Sequence, residues 1–267
     1  MKGLQLGWAL ACMLLFAAAA AAQDDETARA ERWKDLRQTL FGDRPVRDGA
    51  GKIALEAPER ALDAALVPVA ITVQNPKNVK ALYLVIDDNP APVAAHVTYG
   101  PAGDPESLKL RVRVNQYTNM RAIEETLQGE LYESVRLVKA AGGCSAPAGD
   151  YDEANLADMG QMKLRPVGGP APTEGFEAQL LIRHPNFNGM QMDPITRGYT
   201  PARFLKSIDV AYNGEKAFHL ESDISLATDP AIAFRVKGPR KGKLAVDAAD
   251  SANGVFKHIF DLAEQGS

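Results

Sequence analysis

Residues 108–114, Leu-Lys-Leu-Arg-Val-Arg-Val, alternate apolar and basic side chains without a break. A period of two places Leu108, Leu110, Val112 and Val114 on one face and Lys109, Arg111 and Arg113 on the other, the pattern of a half-buried antiparallel strand. Other segments carry the same kind of signal. Short apolar runs occupy 67–73 (VPVAITV), 81–87 (ALYLVID), 131–139 (LYESVRLVK), 162–167 (MKLRPV), 177–183 (EAQLLIR), 231–236 (AIAFRV) and 242–247 (GKLAVD). Runs at 204–212 and 215–220 flank Asn213-Gly214, whose residue types suit a type I′ hairpin turn, and Asn253-Gly254 precedes a last run at 255–260. Near the start, 26–41 place Trp33, Leu36 and Leu40 on one helical face, with Gly42 as a stop. The expected fold class is mostly β: two compact, antiparallel domains with turns at sandwich spacing, preceded by one N-terminal helix. No βαβ unit, GxGxxG loop or phosphate loop supports nucleotide-dependent chemistry.

Charge narrows the partners. Lys and Arg total 30 against 34 Asp and Glu, so no basic excess is available to neutralise phosphates, and no nucleic-acid partner is expected. At the N-terminus, Lys2 precedes an apolar run from Leu4 to Ala22 that ends in small residues before the acidic QDDE. This pattern predicts a secretory signal peptide over 1–22 and an exported, soluble chain. An uncleaved anchor is the alternative reading, but no basic stop follows the run.

Cleavage removes Cys12 and leaves Cys144 as a single cysteine that has no internal disulfide partner. A lone cysteine can be a small buried hydrophobe. Here the surrounding Lys139-Ala-Ala-Gly-Gly-Cys-Ser-Ala-Pro-Ala-Gly-Asp150 contains Gly142, Gly143, Pro147 and Gly149 and no bulky apolar side chain, so the expectation is an exposed, mobile thiol. Such a thiol keeps a pKa of about 8.5 and is only about 3 % thiolate at pH 7. It suits presentation to another protein's active site better than catalysis by this chain. The predicted organisation is a signal peptide (1–22), a first β domain with its helix (23–139), a Gly/Ala-rich cysteine-bearing linker (140–156) and a second β domain (157–267). The two β domains are expected to pair within the chain, covering sandwich edges.

Other candidates carry less. His96, His184, His219 and His258 lie at no metal-ligand spacing, and His184, before Pro185 at a strand end, reads as structural. Asp87-Asp88-Asn89-Pro90 offers too few carboxylates for calcium and reads as a turn. Met159, Met162, Met190 and Met192 read as core filling. The long 185–201 segment is a candidate surface for partner contacts. No cofactor and no metal are expected.

Several separated motifs resemble the SoxYZ sulfur carriers of bacterial thiosulfate oxidation. The first half is similar to SoxY in WKDLRQTLFGDRPV, VPVAITV, LVIDDNPAPVAAHVTYG (84–100), LKLRVRVNQYT and the Gly-Gly-Cys after the last strand. The second is similar to SoxZ in Arg183-His184-Pro185, Pro201-Ala-Arg-Phe-Leu, VAYNGEKAFH (210–219) and DPAIAFRVKGPRKGKLAVDAADSANGVF. The resemblance spans Trp33 to Phe260. It implies two Ig-like β sandwiches, here fused, in a non-catalytic periplasmic carrier whose Cys144 bears a covalent sulfur adduct, with Gly142, Gly143 and Ser145 as a flexible arm. It further implies periplasmic redox enzymes as partners, among them a cytochrome or a quinoprotein (PQQ) dehydrogenase. The alternative is an accessory or assembly protein for such a dehydrogenase, in which the cysteine is not essential. One departure stands out: the family's free Gly-Gly-Cys-Gly-Gly end is replaced by Gly-Gly-Cys-Ser145-Ala146-Pro147, tethered on both sides. At about 3.5 Å per residue, Cys144 can extend roughly 17 Å beyond Lys139, enough for a shallow pocket.

Overall fold

The computed structural model describes residues 26–146, 156–167, 175–192 and 197–262. The expected signal peptide and residues 147–155 of the expected linker lie outside the described residues. No helix among the described residues is long and apolar enough to cross a membrane. The chain divides into two compact units, Met1–Arg44 and Pro45–Ser267. In the first, residues 26–41 form helix α1 as the periodicity predicts. Gly42 ends it at φ 61°, its N–H bonded to the Gln38 carbonyl at 3.0 Å.

The second unit is built from strands. The first half of the sequence supplies β1 (Val46–Asp48), β2 (Ile53–Glu56), β3 (Val67–Val73), β4 (Val79–Ile86), β5 (Val93–Tyr99), β6 (Gly103–Val112), β7 (Thr118–Thr126) and β8 (Leu131–Val138). The second half supplies β9 (Met162–Val167), β10 (Gly175–Ile182), β11 (Leu205–Tyr212), β12 (Glu215–Ser222), β13 (Ala231–Lys237), β14 (Gly242–Asp250) and β15 (Val255–Leu262). They form a nine-stranded sheet, β1-β8-β7-β4-β5-β12-β11-β14-β15, and a six-stranded sheet, β2-β3-β6-β13-β10-β9. Of the strand pairs among the described residues, only the short β1–β8 pair is parallel. The hairpin at Asn213-Gly214 is present, with φ 50° and 86° at the two residues, as a type I′ turn requires.

Both sheets run without a break from one half of the sequence into the other. In the larger sheet β5 pairs β12, with Tyr99 opposite Phe218 and Val97 opposite Leu220. In the smaller, β6 pairs β13, with Leu108 opposite Phe234. Arg235 Nε lies 3.0 Å from Asp104 Oδ2 across that same join. The inward faces form one apolar cluster: Leu84, Val97, Phe218, Leu220 and Val246 from the large sheet meet Ile71, Leu108, Phe234 and Leu180 from the small one. Phe218 and Phe234 pack edge to face at 4.9 Å.

Candidate functional site

The site lies where β6 ends. Along β6 the alternation holds: Leu108, Leu110 and Val112 are buried and Lys109 and Arg111 exposed. At residue 113 it fails, for Arg113, expected on the outer face, is 1 % exposed. The chain has left the β3 ladder there and meets a segment of the second half instead. Its N–H bonds the Ser225 carbonyl at 2.8 Å, its carbonyl accepts from Asn89 Nδ2 at 2.7 Å, and Val112 bridges Leu226. The Arg113 guanidinium donates from Nη2 to Thr228 Oγ1 at 2.6 Å and from Nη1 to the Gly143 carbonyl at 3.1 Å. Asp87–Pro90 forms the expected turn, and within it Asn89 also bonds Ser225 Oγ and accepts from the Asn115 N–H.

Cys144 occupies a turn pressed onto this junction. Gly142 N–H bonds the Asn115 carbonyl at 2.8 Å and Gly143 N–H the Val114 carbonyl at 3.0 Å. The Ser145 and Ala146 N–H groups turn back onto the Gly142 carbonyl, as does the Ser145 hydroxyl. The Cys144 carbonyl accepts from Asn188 Nδ2 of the second half. Cys144 itself is 0 % exposed, which corrects the expectation of an exposed thiol. That expectation considered only sequence neighbours; the turn is instead held down through its backbone by residues 64, 113–115 and 188, remote in sequence. Gly142 sits at φ 78°, and a Cβ on Gly143 would lie 2.0 Å from the Ala64 carbonyl oxygen, so both glycines are demanded by the docked geometry. Ser145 remains exposed.

His184 and the first residues of the segment singled out at 185–201, through Gln191, build the other side of the dock. His184 and Asn186 are 0 % exposed, and Asn188 and Gln191 are buried beside them. Asn186 donates to the Ala227 carbonyl and accepts from the Leu205 N–H. Asn188 accepts the Met190 N–H on Oδ1, and its backbone N–H donates to Gln191 Oε1, which leaves Nδ2 for the Cys144 carbonyl. His184 Nδ1 accepts from the Asn186 N–H at 3.1 Å, and burial above all pushes its pKa down, so it stands as a neutral structural imidazole. Of the methionines, Met162 is in the core and Met192 is exposed.

Burial pushes the Cys144 thiol up from its ordinary range, against the pull of the Arg113 charge. Burial likewise lowers the Arg113 pKa, while Cys144 and Asp63 favour its cation. The arrangement is a neutral thiol beside a buried guanidinium. Among the described residues no group of three or more His, Cys, Asp or Glu gathers to hold a metal. His96 and His219 instead pair with Glu221 and Asp209 on β12 and β11. Sequence reasoning found Cys144 and its glycines but missed Arg113, Asn188 and Thr228. The strand alternation concealed Arg113, and nothing local marks the other two.

Residues 37–144 match the family described as sulfur oxidation protein SoxY, and residues 166–261 match that described as sulphur oxidation protein SoxZ. No match exists among curated protein sequences. Of solved structures, the sulfur carrier protein SoxY from Chlorobium limicola f thiosulfatophilum aligns at 24 % identity and TM-score 0.37, over 44 % of this chain and 99 % of that one. A superoxide reductase (neelaredoxin) from Ignicoccus hospitalis aligns at 15 % identity and TM-score 0.30, over 39 % of this chain and 90 % of that one.

Proposed function

The chain belongs to the SoxYZ sulfur-oxidation family, its SoxY part first and its SoxZ part second in one polypeptide, and on that premise we propose that it is a periplasmic, non-catalytic carrier that bears a sulfur group on Cys144 and presents it to partner redox enzymes. One observation carries this reading: the SoxY match runs up to Cys144 itself, the free cysteine of the described residues, set in a Gly-Gly turn between the two halves. Export by the 1–22 segment supplies the compartment. The turn is held to the body by four hydrogen bonds, at Gly142 N, Gly143 N, Gly143 O and Cys144 O. At on the order of 1 kcal/mol each, these favour the docked state by at most about 4 kcal/mol before the cost of ordering the turn, which sets the undocked fraction at no less than roughly one molecule in a thousand. Loading and unloading then require undocking, and only outside the dock does the thiol regain an ordinary acidity.

The test is the intact mass of the protein purified anaerobically from its native periplasm, with and without reductant, with peptide mapping across 140–163. A reductant-removable increment on Cys144, absent from Cys144→Ser, is expected, and that variant loses function while both sheets stay folded. The burial of Cys144 favours a second reading, an accessory protein of a quinoprotein dehydrogenase that needs no thiol. An unmodified thiol under all growth conditions, with Cys144→Ser fully functional, would establish that reading and reject the carrier.

A further inference from the structure

Arg113 is buried as thoroughly as the apolar core, yet among the described residues no carboxylate lies within ion-pair distance of it. Removing a guanidinium from water without a counter-charge is costly, and such groups are ordinarily paired. Two of its nitrogens are engaged by neutral oxygens, Thr228 Oγ1 and the Gly143 carbonyl, and Nε has no partner. Two acidic groups bear on its charge, Cys144 and Asp63. The Asp63 carboxylate already accepts from the Ala65 N–H at 2.8 Å. Asp63 acts on the guanidinium from beyond ion-pair reach, whereas the sulfur of Cys144 belongs to the residue next to the carbonyl that Nη1 grips. The fork is therefore fixed against the turn, with Nε unpartnered and no carboxylate in contact with its charge.

We propose that Arg113 is the charge-selecting residue of the Cys144 site: a negatively charged group on the Cys144 sulfur is retained in the docked turn, whereas a positively charged group expels it. Identifying the natural cargo as an anionic sulfur group rests on the carrier reading above; the selection itself belongs to the site and does not. Arg113 acts here as a positioning residue, through the stability of the docked turn and not through bond making. A carrier built this way keeps an anionic cargo seated between transfers and holds a mismatched one out in solvent.

The probes are two methanethiosulfonates that differ in charge and share one leaving group, the 2-sulfonatoethyl and the 2-trimethylammonioethyl reagents. In each, the Cys144 thiolate attacks the sulfenyl sulfur, a new S–S bond forms, and the bond to the sulfonyl sulfur breaks. Methanesulfinate leaves with the electron pair, and the thiol proton goes to buffer. Amide hydrogen exchange at Gly142 and Gly143, whose N–H groups bond the Asn115 and Val114 carbonyls, then reports docking in each loaded protein. Exchange in the anion-loaded wild type is expected to be slower than in the cation-loaded form by about tenfold or more, the effect of one nearby unit charge at an effective protein dielectric. Arg113→Gln abolishes the difference and Arg113→Lys keeps part of it. Equal exchange in the two loaded wild-type forms overturns the proposal, and because that comparison uses no variant, misfolding of Arg113→Gln cannot obscure it. A charge preference in protein that never carries a native adduct would reject the carrier reading alone. A native adduct with no charge preference would reject charge selection alone.

Discussion

Gly143 is where the docked turn is most sensitive to a single atom. Its Cα approaches the Ala64 and Val114 carbonyls so closely that a methyl group would lie 2.0 Å and 2.6 Å from their oxygens. Backbone on both sides leaves no flexible side chain to yield, so Gly143→Ala is expected to undock the turn and leave the sheets intact. Modification of Cys144 by a neutral maleimide should then accelerate toward the rate in denatured chain, by up to about a thousandfold if the four docking hydrogen bonds are each worth about 1 kcal/mol. A variant as slow as wild type would show that the close approach does not hold the thiol in. This residue also shows how far the site was legible. A Gly-Gly-Cys run signals a special backbone, and sequence reasoning took that signal as mobility. The same composition serves tight contact equally well, and only the remote Ala64 and Val114 carbonyls distinguish the two.

At the scale of elements, the hairpin joining β14 to β15 is organised by one carboxylate. Asp250, 0 % exposed, takes the Ala252 and Gly254 N–H groups on Oδ1 and Arg203 Nε on Oδ2 at 2.7 Å. Burial opposes its charge, but Arg203 and the Gly254 and Ala252 N–H groups outweigh it and hold the pKa below the usual carboxylate value. A depressed carboxylate contributes stability that is complete above its unfolded pKa of about 3.9 and is lost as pH falls through the lower folded value. Asp250→Asn should therefore cost about 2 kcal/mol at neutral pH, less than a fully buried pair because Arg203 is 38 % exposed. The cost should shrink below pH 4, read as converging urea midpoints of variant and wild type. Midpoints that stay parallel from pH 6 to pH 2.5 would contradict it.

Strands were legible where they carried apolar runs: β3 and β9 fall on the predicted residues, and most other predicted strands differ by a residue or two at an end, although β6 begins well before its alternating stretch. The short β1 and β2 and the alanine-bearing β5 were not foreseen. Nor was β7, because Arg121, Glu124 and Glu125 interrupt its pattern while being buried. Arg121 is compensated by Asp87 and Glu133, and Glu125 by Lys80, partners that no local window on β7 contains.

For the whole molecule, the consequence of two shared sheets is cooperativity. Phe218 on β12 belongs to the second half by sequence, yet it faces Tyr99 of the first and packs on Phe234. Phe218→Ala should cost about 3–5 kcal/mol through the lost contacts and the cavity left behind. Both halves of Pro45–Ser267 should then unfold in one calorimetric transition, moved down as a unit. Two separate transitions would mean that the β5–β12 and β6–β13 joins carry little energy. Sequence reasoning expected pairing between the halves; the continuity of both sheets followed from edges that no periodicity marks.

The receptor for the Cys144 turn is drawn from both halves, Arg113 from one and Asn188 and Thr228 from the other. In a carrier made of two separate chains, those two sides would part on dilution, and the thiol's behaviour would depend on how much of each subunit the compartment held. Here one translation product supplies both in fixed proportion. Their effective concentration, on the order of millimolar or more for tethered partners, no longer answers to expression level at all.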